Sequence, residues 1–493
     1  MLYQSTRNKN YTATGPEAIL QGIAPDGGLY MISDFSDIKL DWKELLELDT
    51  IPMAAKILQA LLPDFSPEEM DELAKKAYCG KFETDDLTPL AQVGDRYILE
   101  LFRGPTSAFK DVALSMLPQL MTASRKKTGM KEDIVILTAT SGDTGKAALE
   151  GFHDVEGIKI MVFFPNNGVS AVQQAQMVTQ TGNNVAVAAI NGNFDDAQTG
   201  VKKTFAAAAE NSTALNGSVL SSANSINICR LAPQVVYYFK SYADLVREEV
   251  IKVGDKVSFV VPTGNFGDIL AGYFAKKLGL PVEKLICASN ENKVLTDFLN
   301  EGIYDRQRPF YKTTSPSMDI LVSSNLERLL FMMSDCDSEL VASLMKQLNE
   351  EGKYRVPAEM LTKIQAEFGA GFCDDQKTAV AIRKVWEKYG YLMDTHTAVA
   401  WAVSEEYKKT AKEPVIVLST ASPFKFPHAV LSALGETPAE NEFDCLTQLS
   451  EISNLPIPKN LSGLKDAKVL HDTVIDKEEL IDFALNKAGQ AKW

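Results

Sequence analysis

The chain has 493 residues, 45% hydrophobic and 23% charged, a soluble composition too long for one ordinary core and predicting two to four domains. Its 50 Lys and Arg against 65 Asp and Glu leave a net charge of −15, which argues against nucleic acid or an anionic membrane as partner, because both select a basic surface. Six scattered cysteines (Cys79, Cys229, Cys287, Cys336, Cys373, Cys445) form no CxxC pair and read as reduced thiols, and the four histidines show no metal-ligand spacing, so no metal is expected.

The N-terminal "MLYQSTRNKNYTATG" has neither the apolar core of a secretory signal nor the pattern of a transit peptide. No apolar run approaches the ~20 residues of a membrane span, so a cytoplasmic protein is expected. Residues 1–90 carry a turn signal at 24–30 and helical periodicity over 43–78, with a start at "SPEEMDEL". From about 91 the pattern changes. Continuous apolar runs at 133–140, 158–164 and 184–190, then at 256–264, 284–290 and 413–421, predict buried parallel strands. Helical stretches lie between or after them, at 144–153, 169–181, 195–210, 267–279, 376–389 and 397–409. Strand-then-helix order in two groups predicts an α/β fold with two parallel-sheet domains. The expected division is an N-terminal domain 1–90, a smaller α/β domain 91–235, a larger α/β domain 236–430 and a C-terminal extension 431–493. Within the larger domain, 291–375 reads as a less regular insertion or lid.

Three short stretches carry chemistry. In "ILTATSGDTGKAALEGF" (136–152) the Gly145-Lys146 pair suggests a nucleotide-binding P-loop. That motif needs Gly at position 140 and Ser or Thr at 147, and the chain has Thr140 and Ala147, so the P-loop is rejected. What remains is a strand, a turn with three hydroxyls and a helix start, which suits an anion such as a carboxylate. The second stretch, "VVPTGNFGDILAGYF" (260–274), repeats that construction, with Gly264 and Gly267 allowing close backbone approach to a phosphate. In the third, "GPTSAFKDVAL" (104–114), Lys110 follows Phe109 at a helix start. Lysines at such places are mostly solvated, but one desolvated beside an aromatic ring is a Schiff-base nucleophile. An imine-forming lysine with a phosphate cup and a carboxylate cup fits pyridoxal phosphate acting on an amino acid.

Together the motifs resemble the fold type II pyridoxal-phosphate enzymes, whose fold is that of the tryptophan synthase β subunit, and among them the long microbial and fungal threonine synthases. The resemblance rests on "STRNK" (5–9), "APDGGLY" (24–30), "GPTSAFKD" (104–111), "TATSGDTG" (138–145), "NSINICRLAPQVVYYF" (224–239), "PTGNFGD" (262–268), "PSMDILVSSNLERL" (316–329), "DTHTAVAW" (394–401) and "STASPFKFP" (419–427). It implies a carbon–oxygen lyase with pyridoxal 5′-phosphate as cofactor and a cleft between the two sheets. O-phospho-L-homoserine and water would become L-threonine and phosphate, by γ-elimination and β-hydration. Lys110 would bind the cofactor and move protons, and Gly264, Asn265, Phe266, Gly267 and Asp268 would form its phosphate cup. Thr420 would meet the pyridine nitrogen. Thr140, Ser141, Asp143 and Thr144 would hold the substrate carboxylate, with Asp143 also near the cofactor ring. Asn224, Ser225 and Arg230 would hold the substrate phosphate, the arginine by its bidentate fork. Lys425 and His428 receive at most a supporting role, His396 a structural one, and a monomer is expected over a homodimer. A dehydration of serine or threonine, and a protein kept for binding alone, are the alternatives. The first has no use for Arg230, and the second is free to lose Lys110.

Overall fold

The computed structural model describes residues 2–210, 215–490 and 493. Two sheets organise the molecule. The larger has the strand order Phe368–Phe372, Val282–Ser289, Val257–Pro262, Val415–Ser419, Arg96–Glu100, Leu90–Val93, parallel throughout except for the last hairpin. The smaller is wholly parallel, in the order Thr473–Asp476, Val185–Asn191, Ile158–Pro165, Asp133–Ala139, Ser218–Ser221. Central strands such as Ile158–Pro165 and Val257–Pro262 are buried along almost their whole length, as expected where helices cover both faces. The fold is that of two parallel α/β sheets, as expected.

Three parts of the chain lie elsewhere than their position in sequence suggests. Strand Arg96–Glu100 precedes the smaller sheet in the chain yet pairs with Val415–Ser419 in the larger one. Thr473–Asp476, in the C-terminal stretch, pairs with Val185–Asn191 at the edge of the smaller sheet. Residues 291–375, read as an irregular insertion, are mostly regular. They hold helices Leu326–Met333, Ser338–Glu351 and Ala358–Glu367, and they end in the larger sheet's edge strand Phe368–Phe372. The short strand "FGAGF" escaped reading because two glycines dilute its apolar signal.

The helix Lys110–Thr128 opens at the candidate lysine and contains Pro118. Proline has no N–H to offer the carbonyl four residues back, here Leu114. Gly151, on helix Asp143–Phe152, closes against that carbonyl, and a Cβ there would lie 2.1 Å from the Leu114 oxygen. The two helices that open at candidate site residues are thereby packed closely against each other.

Candidate active site

Every candidate loop sits just beyond the carboxyl end of a parallel strand. The 140–145 turn follows Asp133–Ala139 and the 222–230 stretch follows Ser218–Ser221. Gly264–Asp268 follows Val257–Pro262, and Thr420 follows Val415–Ser419. Loops at strand carboxyl ends are where open α/β sheets gather ligands. Here they meet around a cavity of about 540 Å³ lined by Lys110, Thr140, Ser141, Asp143, Thr144, Asn224, Ser225, Arg230, Gly264, Asn265, Gly267, Asp268 and Thr420. Phe266, alone among the residues expected to bind cofactor or substrate, is not on its wall. Its ring is buried 5.7 Å from that of Phe368, so its contribution to a cup is through the backbone.

Lys110 begins its helix with 11% of its side chain exposed, and its Nζ lies 4.4 Å from the Phe109 ring centre. Burial pushes its amine down to about 8. Asp143 opposes that shift, while Lys425 and Arg230 reinforce it. The preceding loop is stitched to the 420–425 segment. Phe109 N–H donates to the Thr420 carbonyl at 2.9 Å, Ser422 N–H to the Ser107 carbonyl at 3.1 Å, and Lys425 Nζ to the Thr106 carbonyl at 3.0 Å. Ser107 takes a positive φ of 59°, and Asp111 accepts from both the N–H and the hydroxyl of Thr106. Lysine and Thr420 are therefore held in one frame.

In the 140–145 turn the Thr140 hydroxyl accepts from Gly142 N–H at 3.0 Å and Gly145 N–H at 2.8 Å. It organises the loop, which leaves the N–H groups of Ser141, Asp143 and Thr144 without an acceptor among the described residues. Three free amides at a helix start suit a carboxylate. Asp143 itself does not suit one. Burial works against its charge, but Lys425 and Lys110 outweigh that and Gln173 adds a hydrogen bond, holding its carboxyl well below the usual range. As an ionised acceptor it repels an anion and faces the cations instead.

The 264–267 turn is braced from outside. Ser323 Oγ donates to the Gly264 carbonyl at 2.9 Å, and Asn325 donates to the Asn265 carbonyl from N–H at 3.0 Å and from Nδ2 at 3.1 Å. With the carbonyls held and Phe266 at φ 62°, the N–H groups of Gly264 to Gly267 meet no acceptor among the described residues. A Cβ on Gly264 would stand 2.6 Å from the Ser317 carbonyl oxygen. Asp268, buried at the helix start, is pushed up to about 7 by desolvation.

Arg230 is buried on the short helix Ile228–Leu231 and bonds the Ala223 carbonyl through Nη1, while its Nε has no partner. Burial lowers it to about 10, so it remains a cation at neutral pH. A buried guanidinium with unspent donors facing a cavity is arranged for an anionic group from outside the chain. Ser225 Oγ lies 3.2 Å from Ser324 Oγ, linking this stretch to the brace of the 264–267 turn.

Two features of the site exceed the expectation from sequence. Lys425 is fully buried and pairs with Asp143 at 2.7 Å. Its signal was a lysine between Phe424 and Phe426, the same apolar flanking that singled out Lys110. Arg7 and Glu327 both line the cavity and form a bidentate pair at 2.8 and 2.7 Å, bringing the N-terminal segment to the site. His396 caps nothing catalytic. Its Nδ1 bonds Asp394 at 2.7 Å, and its Nε2 accepts Ser317 N–H, supporting the wall at 316–318. His428 is not on the cavity wall. Among the described residues no cluster of three or more His, Cys, Asp or Glu could hold a metal ion.

The chain is similar to known proteins along its whole length. A family model described as pyridoxal-phosphate dependent enzyme matches residues 86–420, one for the threonine synthase N terminus matches 2–78, and one for the threonine synthase C-terminal region matches 397–474. A threonine synthase of Saccharomyces cerevisiae is 37% identical over 98% of this chain and 99% of its own length. A threonine synthase-like 1 protein of Macaca fascicularis is 40% identical over 85% of this chain, and the chain spans 58% of that relative's length. The crystal structure of a pyridoxal-phosphate-bound threonine synthase from Brucella melitensis superposes with a TM-score of 0.87 at 38% identity, covering all of both chains.

Proposed function

This chain belongs to the threonine synthase family of pyridoxal-phosphate enzymes, and from that premise we propose that it converts O-phospho-L-homoserine and water to L-threonine and inorganic phosphate. The observation that carries the proposal is one cavity joining a buried lysine, two helix-start loops with unspent N–H groups and a buried arginine with an unpartnered Nε.

The residues fit pyridoxal phosphate. The amides of Gly264 to Gly267 would hold its phosphate, Lys110 its aldehyde carbon and Thr420 its ring nitrogen. When bound, the cofactor supplies an electron sink beside the amino acid's α-carbon. Everything else falls to the chain. The amides of Ser141, Asp143 and Thr144 bind the substrate carboxylate, and Arg230, with Asn224 and Ser225, binds its phosphate. Held at both ends, the substrate presents its α- and β-carbon protons towards one base. Lys110, poised near neutral pH, would take the α-proton. A second proton leaves the β-carbon as phosphate departs from the γ-carbon, where Arg230 takes up its charge. The γ-carbon then gains a proton, water adds at the β-carbon, and Lys110 returns a proton to the α-carbon. Substrate filling the cavity would displace water from it during the earlier steps.

We place the enzyme in the cytoplasm and as a monomer. Six cysteines without a disulfide support a reducing compartment, and among the described residues no helix is long and apolar enough to cross a membrane.

The test is phosphate release from O-phospho-L-homoserine by the full chain with pyridoxal phosphate, beside Lys110→Ala. Equal phosphate and threonine from the native protein, and none from the variant, is the expected result. Turnover of serine or threonine but not of the phosphorylated substrate would replace it with a dehydratase. Cofactor uptake without turnover of any of them would leave a binding protein.

A further inference from the structure

The function described above gives no task to Lys425, although it is the most deeply buried cation of the site. It ends the short turn Pro423–Lys425, its side chain is 0% exposed, and its Nζ lies 2.7 Å from Asp143 Oδ1 and 3.0 Å from the Thr106 carbonyl. Gln173 Nε2 donates to the same Asp143 oxygen at 2.9 Å. The other oxygen, Oδ2, is 3.8 Å from Lys110 Nζ. One carboxylate therefore stands between two lysines and is engaged by only one of them. A charge-assisted hydrogen bond has a length of about 2.7–2.9 Å, which the Lys425 contact meets and the Lys110 contact does not.

We propose that Lys425 is a positioning residue for Lys110: it takes Asp143 as its own counter-ion and so leaves Lys110 without a closed ion pair, as a nucleophile rather than a structural ammonium. The proposal rests on the reading of Lys110 as the cofactor-binding amine. Its physics is local. Without Lys425, a buried carboxylate would have Lys110 as its nearest cation, and a closed pair in a dry cavity stabilises the protonated lysine. With Lys425 in place, the carboxylate is satisfied and a second positive charge faces Lys110. The remaining charged groups around Lys110 are Arg230 and Asp268, and around Lys425 they are Asp143 and Asp111. None of these replaces Lys425 at Asp143 Oδ1.

The experiment reads Lys110 directly. The rate of its acetylation in the full chain freed of pyridoxal phosphate, followed by peptide mass spectrometry across the range of lysine titration, gives the midpoint at which the amine becomes free. Native protein should show a midpoint of about 8. Lys425→Met should move it up by about one unit or more, slowing labelling at neutral pH about tenfold, while Lys425→Arg keeps it within about threefold of native. Asp143→Asn should move it down, speeding neutral labelling about fivefold. Removing both charges in D143N/K425M should bring the midpoint back to within about half a unit of native. An unchanged midpoint in Lys425→Met, or a double variant displaced as far as Lys425→Met, overturns the proposal. Should Lys425→Met fail to fold, Asp143→Asn and the double variant decide, because their displaced and restored midpoints are required together. Borohydride trapping of pyridoxal phosphate at Lys110 tests the cofactor reading separately. Its failure in native protein, with the midpoints moving as stated, removes the cofactor assignment and leaves the ion-pair arrangement standing.

Discussion

The two anion loops are built alike and supported differently. Each follows a parallel strand, turns through glycine and enters a helix with unspent N–H groups. The 140–145 turn is organised from within, because the Thr140 hydroxyl holds two amides of its own loop. The 264–267 turn is organised from without, by Ser323 and Asn325, nearly sixty residues further along the chain. A self-supported loop keeps its shape whatever the rest of the cavity does. A loop braced by another segment takes its shape from that segment's position, so its affinity is coupled to the wall at 316–325.

The outer brace is tightest at Gly264. Gly264→Ala would drive a Cβ into the Ser317 carbonyl, which belongs to the backbone and has little room to yield. Overpacking of this kind costs about 3 kcal/mol, on the order of a hundredfold weaker binding of pyridoxal phosphate by fluorescence titration. A cofactor affinity unaltered by that change would mean the turn does not hold the cofactor. Thr140→Val sharpens the contrast from the other side. It strands two N–H groups at about 2 kcal/mol in total, and the expected result is a KM for the phosphorylated substrate raised about thirtyfold with cofactor affinity unchanged. Steady-state kinetics beside the cofactor titration separates the two constants.

Asn325→Ala is a milder version of the first test. The Asn325 N–H still holds the Asn265 carbonyl after the side chain is lost. Cofactor affinity should fall by about 1 kcal/mol, roughly fivefold, with KM unmoved. If instead Asn325→Ala raised KM and Thr140→Val released cofactor, the two loops would have to exchange roles. Gly151→Ala touches neither loop but pushes apart the helices that start at Lys110 and Asp143. It should lower the thermal midpoint through about 1–3 kcal/mol of overpacking while cofactor-saturated turnover falls less than in any variant above.

Much of this was legible locally. The strand–turn–helix units announce themselves because apolar runs of strand length followed by 3.6-residue periodicity are properties of consecutive residues. The same holds for Lys110 beside Phe109 at a helix start, and for the rejection of a P-loop at Thr140 and Ala147. Which sheet a strand joins was not legible. Arg96–Glu100 and Thr473–Asp476 find their parallel partners more than 280 residues away in the chain. The character of Asp143 was equally hidden. Its sequence neighbours place it in an anion loop, and only the approach of Lys425, 282 positions later, turns it into the anion. Short-range pattern is enough for the repeating α/β units, the two glycine-containing loops and the lysine between them, because turns, helix starts and apolar periodicity are properties of neighbouring residues. Which charges share a cavity, and what each is paired with, follows from the folding of distant segments onto one another. Burial and Coulomb interaction depend on distances through space, which chain separation does not reveal.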